Sequence, residues 1–329
     1  MSGSRYDVLG LGNAIVDVLA RADDALLERY RLAKGSMSLV DAERADQVYG
    51  AMHNRVERSG GSAANTMVGL ASLGGASAYV GKVRDDTLGQ VFAEDLRKEG
   101  VAYATRPARG GPGTGRCLIL VTPDAQRTMQ TFLGASATLG PEDLSTEMIE
   151  AAGVLYLEGY LWDAPAAKAA MRAAAGTARR AGRKVALTLS DAFCVERHRE
   201  EFVELLDREV DYLFANEAEI LALFRAKALG DALEAVRGRC EVAAVTLGER
   251  GSVLLTSDGS LPIAPEPPSQ LIDTTGAGDL YAAGFLYGIT HGHDLAGAGR
   301  LGSRAASRIL THFGSRPEIP LRNLVGPER

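Results

Sequence analysis

Segments of strand and helix character alternate along most of this 329-residue chain, and that alternation limits the folds open to it. Strand-like runs at 76–81, 153–157, 184–189, 211–215 and 243–247 are interleaved with helical stretches that include 87–99 and 165–181. Strands separated by helices can pair only in parallel, with each crossover helix lying on a face of the sheet. The expected class is therefore α/β, three layers with a covered parallel sheet, and 46% hydrophobic residues can fill its two cores. The alanine-rich stretch at 165–181 starts at Pro165, is followed by Gly182 and reads as a packed helix. A glycine turn at Gly248 to Gly251 joins the last of these strands to a hairpin partner at 252–255, and prolines from 262 to 268 suggest an extended connector. Two stretches, about 14–55 and 102–135, break the rhythm and read as insertions.

The run Asp273-Thr274-Thr275-Gly276-Ala277-Gly278-Asp279 lies where a loop becomes a helix. Ala277, Leu280, Tyr281, Gly284, Phe285 and Gly288 recur at helical spacing, with small residues suited to close packing. A first helical turn bared by glycines presents unpaired N–H groups and the positive end of the helix dipole, which together suit a phosphate. An anion site does not need the carboxylate of Asp279, but a base taking a proton from an attacking hydroxyl does. The competing reading makes Thr275 an N-cap and Asp279 a dipole-complementing acid.

Thirty-six basic residues against 42 acidic ones, without basic runs, argue against a nucleic-acid or anionic-membrane surface. Cys117, Cys194 and Cys240 are scattered and odd in number, which argues against a disulfide framework or a zinc site. No run approaches the roughly 20 apolar residues of a membrane span, and the first residues lack a secretory core, so a cytoplasmic protein is expected.

Other polar residues fall at strand ends. Gly10-Leu11-Gly12-Asn13-Ala14-Ile15 fails as a dinucleotide turn, because Ile15 replaces the third glycine and another strand follows; Asn13 and Asp17 are its polar residues. Gly60-Gly61-Ser62 and Asn65 open a second helix, for which Ser62 is the expected N-cap. Asn216 and Glu219 stand where a strand passes into a helix, the end of a parallel sheet at which ligands collect. No Walker A loop is present.

Taken together, GNxxxD, GGxxxN, NxxE, TxGxxG and DTTGAGD occur in the order in which the ribokinase-like (PfkB-type) carbohydrate and nucleoside kinases carry them, and the chain resembles that family over almost its whole length. The resemblance implies a ribokinase-like α/β/α sandwich with a small β-sheet lid made by the two inserted stretches. It implies ATP as cosubstrate, an anion hole at Gly276, Ala277 and Gly278, and Asp279 as base. Asn13, Asp17, Gly60, Gly61, Ser62 and Asn65 become the acceptor site; Asn216, Thr246, Gly248, Gly251 and Thr275 become the ATP site. Asn216 and Glu219 would hold Mg²⁺ through water. A monovalent cation such as K⁺ and a homodimer through the lid are further implications.

The acceptor expected from the resemblance is a nucleoside 5′-hydroxyl, adenosine giving AMP, with ribose, fructose or a related sugar as the alternative. Ser62 stands where ribokinases usually carry lysine, and Thr114-Gly115-Arg116-Cys117 is similar to a strand of adenosine kinases. The strand at 129–132, with Leu133 and Tyr160, is the expected purine wall.

Overall fold

The computed structural model describes residues 4–124 and 126–326. In chain order the strands are β1 (Tyr6–Leu11), β2 (Ile15–Arg21), β3 (Met37–Leu39), β4 (Val56–Gly60), β5 (Ser77–Val80), β6 (Ala102–Tyr103) and β7 (Gly115–Val121). They continue as β8 (Arg127–Phe132), β9 (Ala152–Glu158), β10 (Lys184–Thr188), β11 (Tyr212–Asn216), β12 (Val242–Thr246), β13 (Ser252–Thr256) and β14 (Gly259–Ile263). A nine-stranded sheet has the order β14-β13-β12-β11-β10-β9-β1-β5-β6, parallel except at the β12-β13-β14 end. A five-stranded sheet, β3-β8-β7-β2-β4, stands apart from it.

Strand alternation sends successive side chains of the large sheet into two cores. Val154, Tyr156, Tyr212, Phe214 and Ala244 face one core, against the helices Ser62–Leu73, Thr87–Lys98, Ala277–Thr290 and Leu295–Ile309. Leu155, Leu157, Leu213, Ala215 and Val245 face the other, against Pro165–Arg180, Ala192–Arg208, Glu217–Phe224 and Leu229–Val236. The three-layer α/β sandwich is thus confirmed. Small residues let two helices of the first layer touch closely: a Cβ added to Gly284 would come within 2.6 Å of the Leu301 carbonyl oxygen.

The small sheet departs from the expected boundaries of 14–55 and 102–135. Its strands run to Gly60 in the first stretch, because β4 pairs with β2 as far as Gly60 opposite Ile15, which sets Gly60 beneath Asp17. In the second stretch they occupy only 115–132, since Ala102 and Tyr103 pair with β5 at the edge of the large sheet. The first stretch also holds the helices Asp24–Arg29 and Ala42–Ala51, each capped by an aspartate, Asp23 or Asp41. The expected connector at 262–268 begins inside β14, an edge strand where Pro262 need not donate to a further neighbour. Among the described residues, no helix is long and apolar enough to cross a membrane.

Candidate active site

Helix Ala277–Thr290 starts from Gly276, whose φ of 81° is left-handed and whose added Cβ would lie 2.9 Å from the Ser315 Cα. Gly276, rather than Thr275, is the N-cap. Gly278 faces open space in the first turn. One residue on, Asp279 is half-buried and doubly held: Ser62 Oγ donates to its Oδ1 at 2.6 Å and Asn65 Nδ2 to its Oδ2 at 2.9 Å. Burial pushes its carboxyl up to about 6, against the pull of Ser62, Asn65 and the charge of Arg316. A carboxylate has about four lone-pair sites, so these two bonds leave it able to accept a proton.

The glycine pair has two separate causes. Gly60 lies beneath Asp17, where an added Cβ would stand 2.3 Å from the carboxylate carbon. Gly61, at φ 95°, is the N-cap of helix Ser62–Leu73, and its Cβ would fall 2.2 Å from the Asn13 carbonyl oxygen. Ser62 is therefore not the cap; its hydroxyl is committed to Asp279. The missing cap is supplied from β9, where Glu158 Oε2 accepts the Ala63 N–H at 2.8 Å.

Asp17 and Asn13 differ sharply. Among the described residues nothing donates a hydrogen bond to the Asp17 carboxylate, which lines a cavity. Burial lifts its carboxyl to about 6, partly offset by Arg316 and reinforced by Asp279. Asn13 is 4% exposed and lines neither cavity. Its Nδ2 donates to Glu158 Oε1 at 2.9 Å and its Oδ1 accepts from Ser136 at 2.9 Å. Buried Glu158, raised to about 7 by desolvation, thus organises the strand end that was expected to meet substrate directly. Asn65 Oδ1 is buried without a partner among the described residues.

Two cavities flank this helix start, Thr275 lining one and Gly276 the other. One, of about 700 Å³, lies between the small sheet and the segment Phe313 to Glu318. Leu19, Ile119 and Val121 line one side and Phe313 another, and the charged lining is Asp17, Arg21, Arg58, Arg127, Arg316 and Glu318. The expected purine wall is not there: Met129, Phe132, Leu133 and Tyr160 are absent from the lining. Strand alternation turns Phe132 and its partner Arg116 away from the face that carries Asp17, and Tyr160 is tied to Ser190. Thr275, expected on the ATP side, lines this cavity and accepts a hydrogen bond from Arg127.

The second cavity, about 260 Å³, is lined by Gly276, Ala277, Gly278 and Asp279 on one side and by Asn216, Glu219 and Thr246 at the strand ends. Gly248 and Gly251 lie outside its lining and shape the turn from β12 to β13. Asn216 caps helix Glu217–Phe224, and Glu219 closes a capping box by accepting from Asn216 N at 2.9 Å and Nδ2 at 2.6 Å. Glu219 is 5% exposed, and burial raises its carboxyl to about 7. Each of its oxygens retains accepting capacity, which fits a hydrated Mg²⁺ held through water. No cluster of three metal-ligating side chains occurs among the described residues, which does not fit a directly caged ion.

Local sequence gave no sign of Arg127, Arg316, Glu158 or Ser190. Arg127 reaches from β8 to Asp273 and Thr275 and stacks 4.3 Å from the Phe313 ring. Ser190, beside the second cavity, has a positive φ of 72° unusual for a residue with a side chain. Each acquires its neighbours from distant segments.

A carboxylate in the first turn of a glycine-bared helix, lining an anion-sized cavity with a larger polar and apolar one beside the same helix start, defines a phosphotransferase acting on an alcohol group. The chain matches the pfkB family of carbohydrate kinases over residues 33–322 and belongs to that family. Its structure is similar to that of adenosine kinase from Sinorhizobium meliloti, 48% identical, with a TM-score of 0.91 and coverage of 98% of this chain and 99% of that one. It is also similar to a probable sugar kinase protein from Rhizobium etli CFN 42, 44% identical, with a TM-score of 0.91 and 97% of each chain covered. In sequence it is 28% identical to adenosine kinase from Saccharomyces cerevisiae, over 94% of this chain and 96% of the relative. Membership implies ATP as cosubstrate, usually with Mg²⁺.

Proposed function

We propose that this kinase phosphorylates the 5′-hydroxyl of a nucleoside, adenosine giving AMP. The observation that carries the reading is Asp279, fixed by Ser62 and Asn65 in the first turn of the helix that lines the smaller cavity. The acceptor lies in the larger cavity, with its ribose hydroxyls on the unpaired Asp17 carboxylate and its base against Leu19, Ile119, Val121 and Phe313. A nucleoside suits such a site because one end is polar and the other has an apolar wall. The buried Asn65 Oδ1 gains a partner from an acceptor hydroxyl. Asn13 acts indirectly, by holding Glu158 and the glycine turn.

ATP places its terminal phosphates in the smaller cavity. Asp279 takes the hydroxyl proton as the acceptor oxygen bonds to the γ-phosphorus and ADP leaves, while the first-turn N–H groups receive the charge on the transferring group. Mg²⁺, held through water by Asn216 and Glu219, would neutralise phosphate charge. Thr246 borders the same cavity. K⁺ would act on the loop fixed by Asp273, which accepts from Gly314 N at 2.7 Å and Thr275 N at 3.0 Å.

The small sheet serves as a lid that excludes water from the transfer. Its exposed edge residues Met37, Leu39 and Val56 offer a homodimer contact. Three free cysteines suit a reducing cytoplasm.

Similarity to a probable sugar kinase protein motivates a second reading, a sugar acceptor. A steady-state assay with adenosine, inosine, ribose and fructose separates the two. Adenosine is expected to give the highest kcat/KM, and good turnover of fructose with none of adenosine overturns the nucleoside assignment.

A further inference from the structure

Arg316 is 7% exposed, lines the acceptor cavity and makes no ion pair among the described residues. Its guanidinium is spent instead on neutral oxygens. Nε and Nη2 donate to the Ser59 carbonyl at 3.2 and 2.8 Å, Nη2 also to Ser59 Oγ at 2.9 Å, and Nη1 to the Ala64 carbonyl at 3.1 Å. Ser59 passes the link on, donating from N and Oγ to Asp95 Oδ2 at 2.8 and 2.6 Å. A buried cation without a paired carboxylate is costly unless something in the site uses its field.

The bonds of Arg316 fall on the segments that build the site. Ser59 immediately precedes Gly60, which lies beneath Asp17, and Ala64 sits between Ser62 and Asn65, which hold Asp279. The preceding residue, Ser315, packs on Gly276, and the Arg316 carbonyl is met by His312 Nε2 at 2.7 Å. The Arg316 side chain therefore ties the base of the acceptor cavity to the helix that carries Ser62 and Asn65, while the adjoining Ser315 packs on the start of the anion-hole helix.

We propose that Arg316 is a positioning residue for phosphoryl transfer, its bonds to Ser59 and Ala64 fixing the segments that carry Gly60, Ser62 and Asn65 and holding a buried positive charge at the base of the acceptor cavity. This rests on Asp279 being the base.

The charged surroundings support it. Around Asp17 stand Arg58, its β4 partner, with Arg127, Cys117 and Asp279; around Asp279 stand Ser62, Asn65, Tyr156, Glu158, Glu219 and Asp17. Arg316 itself feels Asp17, Asp95, Glu99 and Asp279. Apart from Arg316 the charges around Asp279 are negative, whereas Asp17 also faces Arg58 and Arg127, the latter engaged by Asp273. Arg316 lowers both carboxyls against burial, and Arg127 adds to its effect at Asp17.

The test is the pH profile of kcat/KM for adenosine with saturating Mg²⁺–ATP in the parent, Arg316→Lys and Arg316→Met. The acid limb of the parent is expected near pH 6. In Arg316→Met it should move up by about one unit or more, because the carboxylates lose an opposing charge. In Arg316→Lys it should stay in place, while the acceptor KM rises about tenfold from loss of the forked bonds. An unmoved limb in folded Arg316→Met overturns the proposal. So does a Lys variant with an upshifted limb, and this variant decides the matter alone if the Met variant does not fold. A parent that phosphorylates none of the acceptors rejects the kinase reading instead. Carbon-13 titration of the Asp17 and Asp279 carboxyls then tests the charge effect without turnover: both should titrate higher in the Met variant, and unchanged titrations overturn it.

Discussion

Ser62 Oγ and Asp279 Oδ1 are 2.6 Å apart although 217 residues separate them in the chain. That bond, with its companion from Asn65, aims the carboxylate and lowers its proton affinity. Asp279→Asn removes the base and is expected to reduce kcat by about 10²- to 10⁴-fold. ATP affinity should stay near the parental value, as measured by calorimetry with a non-hydrolysable analogue. Parental turnover in this variant would assign the proton transfer elsewhere.

Gly278 faces open space in the same turn, so an added side chain is accommodated but projects where phosphate would lie. Gly278→Val should therefore fold, with a melting temperature close to the parent's, while both kcat and ATP binding fall. A selective loss of acceptor affinity would contradict the anion-hole assignment.

Asp17 offers a charged acceptor with no donor in the free protein, whereas Asn13 is already saturated by Glu158 and Ser136. Hydrogen bonds to a charged group contribute about 1.5–3 kcal/mol, so Asp17→Asn should raise the adenosine KM roughly 10- to 100-fold with little change for ATP. Asn13→Ala should instead lower the melting temperature, since it strips a partner from buried Glu158. Equal kinetic effects without destabilisation in Asn13→Ala would return it to direct substrate contact.

Stability should depend on pH in an unusual direction near neutrality. Asp17 and Asp279 are raised to about 6, and Glu158 and Glu219 to about 7, all by burial. A raised carboxyl binds its proton more tightly in the folded state, so its stabilising contribution is complete below the unfolded value and is lost as pH rises through the folded one. The ligand-free melting temperature should consequently rise as pH is lowered from about 7.5 to about 5. Asp163 and Glu201, held low by their cationic partners, oppose this only at more acid pH. A melting temperature that falls steadily across that interval would show that these four sites are not desolvated in solution.

Arg127 joins the small sheet to the loop before the anion hole through Asp273, whose side chain is 4% exposed. Removing one member of a buried ion pair typically costs about 3–5 kcal/mol, so Arg127→Met should destabilise measurably. It should also speed hydrogen exchange across β7 and β8. Exchange unchanged there would mean that the link does not restrain the sheet. Asp273→Asn keeps an oxygen for only one of the two N–H donors, Thr275 and Gly314, but it lies off the reacting atoms, so its effect on kcat should be milder than that of Asp279→Asn.

Periodicity and glycine placement by themselves determined the layered α/β core, the two interrupting stretches and the helix starting at Gly276, because these depend on which neighbours along the chain are apolar or small. Asp279 and Asp17 were legible for the same local reason: each is a polar residue at an element end. Tertiary structure alone decided which side chains meet there. Asn13 turned inward because Glu158, 145 residues away, accepts from its backbone and side chain. Phe132 was turned from the Asp17 face by strand register, and Thr275 went to the larger cavity, where Arg127 from a distant strand donates to its hydroxyl. Ser62 gave up the capping role to Gly61 because a distant carboxylate competed for its hydroxyl. Arg316 carries no local pattern at all: an arginine in a loop reads as solvated until folding buries it against Ser59 and Ala64, and a field between two distant aspartates exists only once all three segments are packed together.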